Sequence, residues 1–97
     1  MRHEIVLAPH AAKDLRRLKA NVRAAVKDAI REHLRYEPTK VSRSRIKRLK
    51  GLAQPQLRFP VDDIRVFYDV AEGRVEVLAV VDKADAVDWL ARVGKRK

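Results

Sequence analysis

Positively charged side chains are the residues of this sequence whose number and spacing most favour chemistry. Residues 40–50 contain no Asp or Glu and six cations, which are Lys40, Arg43, Arg45, Lys47, Arg48 and Lys50. A run of this kind is typical of either a solvated face or a surface that binds polyanions. Because Arg58, Arg65 and Lys83 follow along the chain, we predict that a loop and a sheet together surround one phosphodiester.

Cleavage of RNA is the chemistry that such a cluster could perform. The 2′-OH can attack the adjacent phosphorus when Arg and Lys side chains neutralise the charge that grows in the transition state. A lysine whose pKa is lowered by neighbouring cations could act as the general base, while another cation assists the leaving 5′-oxygen. Lys47, Lys50 and Lys83 are the lysines available for this role, and the sequence does not choose among them.

Other enzyme classes lack the residues that they need. His3, His10 and His33 do not have the spacing of zinc ligands, and the chain has no cysteine. The three glycines form no phosphate-binding loop, and no serine lies in a nucleophile-elbow pattern. The Asp62-Asp63 pair could bind a divalent ion, but Asp is also favoured in hairpin turns. We therefore expect no metal and no cofactor.

Length and charge bound the kind of protein. The chain has 97 residues and a formal net charge of +10, which predicts one domain over residues 1–97 with an open surface. A phosphate-rich molecule or an acidic protein would relieve the repulsion between like charges, whereas a merely solubilising surface is the plain alternative. Without cysteine, a signal peptide or a membrane-spanning segment, the expected location is the cytoplasm, with no membrane contact.

The first half of the chain predicts a strand and two helices that carry no obvious site. Residues 4–8 form an apolar run that stops at Pro9, which suits the first turn of a helix. Ala12, Leu15 and Leu18 recur every three residues, with Lys13, Asp14, Arg16, Arg17 and Lys19 on the other faces. Asn21 is a plausible N-cap for a second amphipathic helix that runs to Leu34 and is ended by Pro38. The two helices predict a hairpin that covers an apolar surface.

The second half predicts the sheet that this hairpin covers. Residues 56–60, 64–71 and 75–81 are rich in β-branched and aromatic residues and are separated by turn-like segments, which indicates antiparallel strands. On the middle strand, alternation places Arg65 and Phe67 on the face opposite Tyr68. A closing helix with Trp89 on its apolar side should end at Gly94, before a basic tail at residues 95–97.

In this order the motifs resemble the RelE/ParE toxin superfamily over nearly the whole chain. The matching segments are APHAAKDL at residues 8–15, RLKG at 48–51, IRVFYDV at 64–70 and VEVLAV at 75–80. The resemblance implies an α+β fold: a small antiparallel sheet with an N-terminal strand, an α-helical hairpin on one face and a short C-terminal helix. It also implies the toxin of a type II toxin–antitoxin system, which a cognate antitoxin protein neutralises.

Two activities occur in that superfamily. RelE-like members are ribosome-dependent, metal-independent mRNA endonucleases, so that the ribosome and mRNA would be partners. ParE-like members instead inhibit DNA gyrase. The resemblance matches the RelE-type strand arginine to Arg65, one basic residue of the preceding strand to Arg58, and the basic residue after the last strand to Lys83. Gln56 stands where a second cation is common, and the late tyrosine of several nucleases is absent, which favours the gyrase alternative.

These observations lead to three hypotheses. The first is an mRNA endonuclease in which Arg58 and Arg65 stabilise charge, Lys83 or Lys50 assists proton transfer, and the cations of residues 40–48 bind RNA. The second is an inhibitor of gyrase, and the third is a non-toxic basic binding module. Packing is the preferred interpretation of His33 and Trp89. Asp69 is expected to form a surface ion pair or to orient a cation.

Overall fold

The computed structural model describes residues 2–43 and 45–97 as a sheet enclosed by helices. In chain order the elements are β1 (Glu4–Leu7), α1 (Pro9–Arg17), α2 (Ala20–Ala29), β2 (Lys47–Arg48), β3 (Leu52–Gln54), β4 (Leu57–Val61), β5 (Ile64–Ala71), β6 (Arg74–Asp82), α3 (Lys83–Val93) and β7 (Lys95–Arg96). A π-helical turn, Ile30–Leu34, extends α2. The predicted α+β fold is confirmed, including the helical hairpin and the C-terminal helix.

The main sheet has the strand order β1-β6-β5-β4-β2. β4, β5 and β6 pair in antiparallel fashion, as predicted, whereas β1 lies parallel to β6 at the edge. Asp62 and Gly73 have positive φ angles of 51° and 70° in the two hairpin turns, a conformation that Asp and Gly tolerate. Within the described residues, no helix has the length and apolarity needed to cross a bilayer.

Helices cover both faces of this sheet. The hairpin face is the larger, with Leu15 and Val26 of the helices packed with sheet residues such as Val66 and Tyr68. On the opposite face Phe67 and Ala79 pack with Ala86 and Trp89 of α3. Tyr68 and Phe67 therefore lie on opposite faces, as the alternation along β5 predicts.

The junction between α1 and α2 differs from the sequence prediction. Asn21 is not the N-cap: α2 begins at Ala20, after Lys19 in an extended conformation, and Asn21 lies in its first turn. The break is stabilised instead by Arg23, whose guanidinium donates hydrogen bonds to the carbonyls of Leu15 and Leu18 at 3.1 and 2.9 Å. Leu15 O also accepts from the N–H of Leu18 at 3.2 Å, whereas Leu18 lies beyond the last helical residue, so Arg23 of α2 supplies donors that the end of α1 lacks.

Asp14 also differs from its predicted place on a polar face of α1. Its side chain is buried, and Oδ2 accepts a 2.9 Å hydrogen bond from the backbone N–H of Val80. The parallel pairing of β1 with β6 reaches only Val77, so Asp14 provides an acceptor where the edge strand has ended. Periodicity could not reveal this contact because the two residues are distant in sequence.

The basic tail forms a strand. β7 pairs antiparallel with β3, and Lys97 N donates to Gly51 O at 3.2 Å. Gly94 lets the chain pass close to α3 and β3, as the pairing of β7 requires. A Cβ at this position would lie 2.6 Å from Leu90 O and 3.3 Å from a methyl group of Leu52. The tail is thus fixed beside the turn that follows the cationic segment.

Candidate cationic site

Cross-strand pairing brings two of the predicted cations together with an aromatic residue. Lys47 on β2 lies opposite Arg58 on β4, and Arg58 lies opposite Phe67 on β5. Directly paired residues project from the same face of a sheet, so these three side chains form one row. The row lies on the face that α3 partly covers, because Phe67 is stacked on Trp89 with ring centroids 4.9 Å apart.

Arg65 lies in the next row of the same face. It pairs with Pro60 on β4 and Val81 on β6, so it is the diagonal neighbour of Arg58. The Cα atoms of diagonal neighbours are about 7–8 Å apart. Its Nη1 donates to the carbonyl oxygens of Asp62 and Ile64 at 2.8 and 3.0 Å. The guanidinium is therefore held at the turn between β4 and β5.

Arg58 has a buried donor without a partner. Its side chain is half-buried, and Nε makes no hydrogen bond within the described part of the chain. Because Nε is itself buried, an anion would contact the terminal nitrogens of this half-buried side chain.

The sheet face that carries Lys47, Arg58 and Arg65 is called the cationic face below, and the backbones of Lys83 and Lys50 lie near its opposite ends. The backbone N–H of Lys83 donates to Asp63 O, beside the start of β5. Lys50 follows Leu49, which is bonded to Gln56, and Gln56 N donates to the carboxylate of Asp69. The two ends are five residues of β5 apart, which corresponds to about 17 Å along the strand. By backbone position, the order along the sheet is Lys83, Arg65, Arg58 and Lys50.

The other cations of residues 40–50 divide between different surroundings. Lys40 forms an exposed ion pair with Glu37 at 3.3 Å. Arg43 is exposed, whereas Arg45 contacts the ring of His33, with Nη1 2.8 Å from Nδ1. Arg48 pairs with Leu57 in the row that continues to Tyr68, so it projects on the face opposite Lys47. The six cations therefore do not converge on one point.

Tyr68 fixes the start of the cationic segment to the sheet. The side chain is fully buried, and its hydroxyl donates a 2.6 Å hydrogen bond to Pro38 O. Burial raises the pKa of the Tyr68 phenol well above its ordinary value, while the positive charge of Arg48 acts in the opposite direction. The core role expected for Tyr68 is confirmed, and its contact with Pro38 positions the segment that follows.

Three further predictions have outcomes in this region. Packing is confirmed for Trp89, which is 6% exposed, and for His33, whose ring lies against Phe59 with centroids 5.5 Å apart. The surface ion pair predicted for Asp69 is wrong. Its oxygens accept hydrogen bonds from Gln54 Nε2 at 2.9 Å and Gln56 N at 2.8 Å, so the carboxylate holds the start of β4 instead of a cation.

Sequence reasoning missed the placement of Lys95, Arg96 and Lys97 beside Lys50. All four residues are exposed, and the pairing of β7 with β3 brings the tail to the Lys50-Gly51 turn. Strand propensity gave no indication, because a two-residue basic strand has no apolar alternation. The clustering of positive charge in residues 40–50 and 95–97 is the one sequence feature that could have indicated this contact.

Solved structures with the same fold are toxins of toxin–antitoxin pairs. The chain is similar to one in the RelBE2 complex from Mycobacterium tuberculosis, with a TM-score of 0.70, 21% identity, and 84% of this chain and 99% of the other covered. For the RelB–RelE complex from Methanococcus jannaschii the values are 0.67, 20%, 87% and 96%. A free variant of E. coli RelE gives 0.55, 22%, 96% and 99%.

The sequence itself also identifies the family. No curated protein matches the chain in sequence. A family model does match, over residues 5–87, and its description is the ParE toxin of the type II toxin–antitoxin system parDE. The matched region begins in β1 and ends in α3, so it contains the hairpin, the main sheet and the cationic face. The chain therefore belongs to the ParE toxin family of type II toxin–antitoxin systems, within the RelE/ParE superfamily.

Proposed function

We propose that this toxin inhibits translation as a metal-independent endonuclease of ribosome-bound mRNA. The observation that carries the proposal is the strand pairing that puts Arg58 and Arg65 on one sheet face, with the backbone of Lys83 near one end of this face and that of Lys50 near the other. A chain of RNA lying along this face would place successive phosphates against successive cations. The location that fits this substrate is the cytoplasm.

The reaction needs charge stabilisation and two proton transfers. A P–O bond forms between the 2′-oxygen and the adjacent phosphorus, the bond to the 5′-oxygen breaks, and the products are a 2′,3′-cyclic phosphate and a 5′-hydroxyl. Arg58 and Arg65 stabilise the negative charge on the phosphorane-like transition state. The neutral amine of Lys83, beside Arg65, or of Lys50, beyond Arg58, accepts the proton of the 2′-OH, and a second, protonated lysine donates a proton to the leaving 5′-oxygen.

A cognate antitoxin is the proposed protein partner. Two of the structural neighbours above are toxins solved with a RelB antitoxin. We expect the antitoxin of this toxin to carry acidic residues that face the cationic surface, since complementary charge accelerates association. Binding of the antitoxin would restrain the free toxin in the cell.

Cleavage of mRNA on purified ribosomes tests the proposed activity. Arg58→Ala and Arg65→Ala should each lower the cleavage rate by about 10²–10³-fold, as loss of a transition-state donor does. Arg16→Ala is the matched control, because Arg16 is an exposed arginine on α1, and its cleavage rate should stay that of the unmodified toxin. Intact ribosome-bound mRNA in the presence of the unmodified toxin would disprove the proposal.

Inhibition of DNA gyrase is the second candidate function. It is favoured by Arg65, whose Nη1 is bound to the carbonyls of its own turn, and by the ParE description of the matching family model. A supercoiling assay run beside the ribosome assay separates the two. Loss of supercoiling with translation unchanged would select gyrase, whereas mRNA cleavage with normal supercoiling would select the nuclease.

A further inference from the structure

The excess of positive over negative charge in this protein is carried by two segments of the chain. Seven Lys or Arg residues and no acidic residue lie between Glu37 and Asp62, and three more cations form residues 95–97. These ten account for the net charge of +10, because the other 13 cations equal the 13 acidic residues in number. The rest of the molecule is therefore neutral overall.

The fold places these two segments side by side. β7 pairs with β3, so that Arg96 lies opposite Leu52 and Lys95 opposite Gln54. The hydrogen bond from Lys97 N to Gly51 O joins the chain end to the turn that carries Lys50. Bringing the tail cations close to Lys50 costs electrostatic free energy, and the pairing of β7 with β3 holds them there despite this cost.

Apart from an acidic antitoxin, the chemistry of this surface favours a nucleic acid over a protein partner. Protein interfaces have an apolar centre with aromatic side chains, whereas interfaces with nucleic acids are more polar and much more positive. In the described parts of residues 38–61 and in the tail, Val41 is the one large apolar side chain that is exposed. A surface of this composition matches a sugar–phosphate backbone.

We infer that the tail strand β7, with Lys50, forms a second RNA-backbone site, in which Lys95, Arg96 and Lys97 bind phosphates outside the cleavage position. The inference rests on the proposed function in that RNA is taken as the polyanion. Lys50 would join the two sites, since it lies at one end of the cationic face and beside the tail. Substrate held at both ends of the face would be oriented along it.

The test is the salt dependence of RNA binding by the full chain. The probe is a fluorescent single-stranded RNA of about 20 nucleotides, and the variant replaces Lys95, Arg96 and Lys97 by Gln, which retains the backbone pairing. Loss of three phosphate contacts should lower the slope of log affinity against log salt by about 2 and weaken binding at 50 mM salt at least about tenfold.

A matched control removes the same charge elsewhere. Lys13, Arg16 and Lys27 are exposed on α1 and α2, and their replacement by Gln lowers the net charge by the same three units. This control should keep most of the RNA affinity and slope. Unfolding midpoints of both variants establish that each one is folded, and Lys50→Gln alone should reduce the slope by about 0.7.

Three outcomes decide the inference. Equal salt slopes for the tail variant and the control would overturn it. The inference would also be overturned if polyglutamate bound as tightly as RNA and the tail variant weakened both to the same extent, because the surface would then serve an acidic protein. Reduced RNA binding by the tail variant alone supports it. The ribosome assay reports separately: unmodified toxin that binds RNA through the tail but leaves mRNA intact supports the tail site and overturns the nuclease.

Discussion

Asp14 Oδ2 accepts a hydrogen bond from Val80 N at 2.9 Å and thereby connects the first helix to the interior strand β6. The side chain is buried, and Oδ1 lies 3.5 Å from His10 Nε2. Asp14→Ala should lower the free energy of unfolding by about 2–3 kcal/mol, because the N–H of Val80 would be left buried without an acceptor. Urea unfolding followed by circular dichroism measures this loss.

Asp14→Asn is the control for this prediction. The amide oxygen of Asn can still accept from Val80 N, so we expect this variant to lose less stability than Asp14→Ala. Equal unfolding free energies for Asp14→Ala and the unmodified protein would show that the hydrogen bond contributes nothing.

The contrast between Asp14 and Phe67 shows what the sequence could predict. Alternation along β5 assigned Phe67 and Tyr68 to opposite faces, and the structure agrees, because local side-chain direction in a strand is set by the backbone. Asp14 instead acts on a residue that is remote in sequence, and helical periodicity contains no information about such a partner. A charged residue on a helix is assigned to solvent unless its distant contact is known.

The candidate site likewise has one part that the sequence could predict and one part that it could not. The strand positions of Arg58 and Arg65 followed from residue patterns and from the resemblance to the superfamily. The division of the cationic segment did not, because it depends on the pairing of β2, which puts Lys47 and Arg48 on opposite faces. Nor could the sequence show that β7 pairs with β3, since that contact depends on the direction in which α3 ends.

The stacked pair Phe67 and Trp89 holds α3 on the sheet, and its loss should be visible in fluorescence. The ring planes are 14° from parallel, and Phe67 is fully buried. Phe67→Ala should cost about 3–5 kcal/mol in unfolding free energy and shift the emission of Trp89 to longer wavelength as water reaches the indole. Trp89 is the single tryptophan of the chain, so the emission reports α3 alone.

Phe67→Leu separates stacking from simple burial. Leucine keeps an apolar contact but no aromatic face, and the additional contribution of an aromatic pair is about 0.5–1.5 kcal/mol. We expect a smaller loss of stability than in Phe67→Ala. An unchanged Trp89 emission in Phe67→Ala would mean that α3 is held by other contacts.

Tyr68 makes stability depend on alkaline pH. Because burial raises the pKa of Tyr68 in the folded protein, its contribution to stability is complete below the unfolded pKa of about 10 and is lost as the pH rises above it. The free energy of unfolding should therefore fall by up to about 1.4 kcal/mol per pH unit above pH 10 from this group. Tyr68→Phe should lack this part of the slope, although at pH 7 it is less stable by about 1–2 kcal/mol because Pro38 O loses its donor.

Tyr36→Phe is the matched control for the alkaline experiment. Tyr36 is 56% exposed, and its replacement should leave the pH dependence of unfolding that of the unmodified protein. Identical slopes for Tyr68→Phe and Tyr36→Phe between pH 9 and 11 would refute the assignment to Tyr68.

Gly94→Ala should detach the tail without removing any charge. The added Cβ would lie 2.6 Å from Leu90 O, which belongs to the helix backbone, so the chain must shift as it leaves α3. The pairing of β7 with β3 would then loosen, and hydrogen exchange should show faster exchange at the Lys97 amide. If the cations bind RNA because β7 holds them in place, the salt slope should fall as in the tail variant.

Ala91→Ser, an exposed change one turn earlier in α3, is the control and should leave both measurements unchanged. A normal slope in Gly94→Ala, together with fast exchange at Lys97, would mean that the tail charges act without the strand.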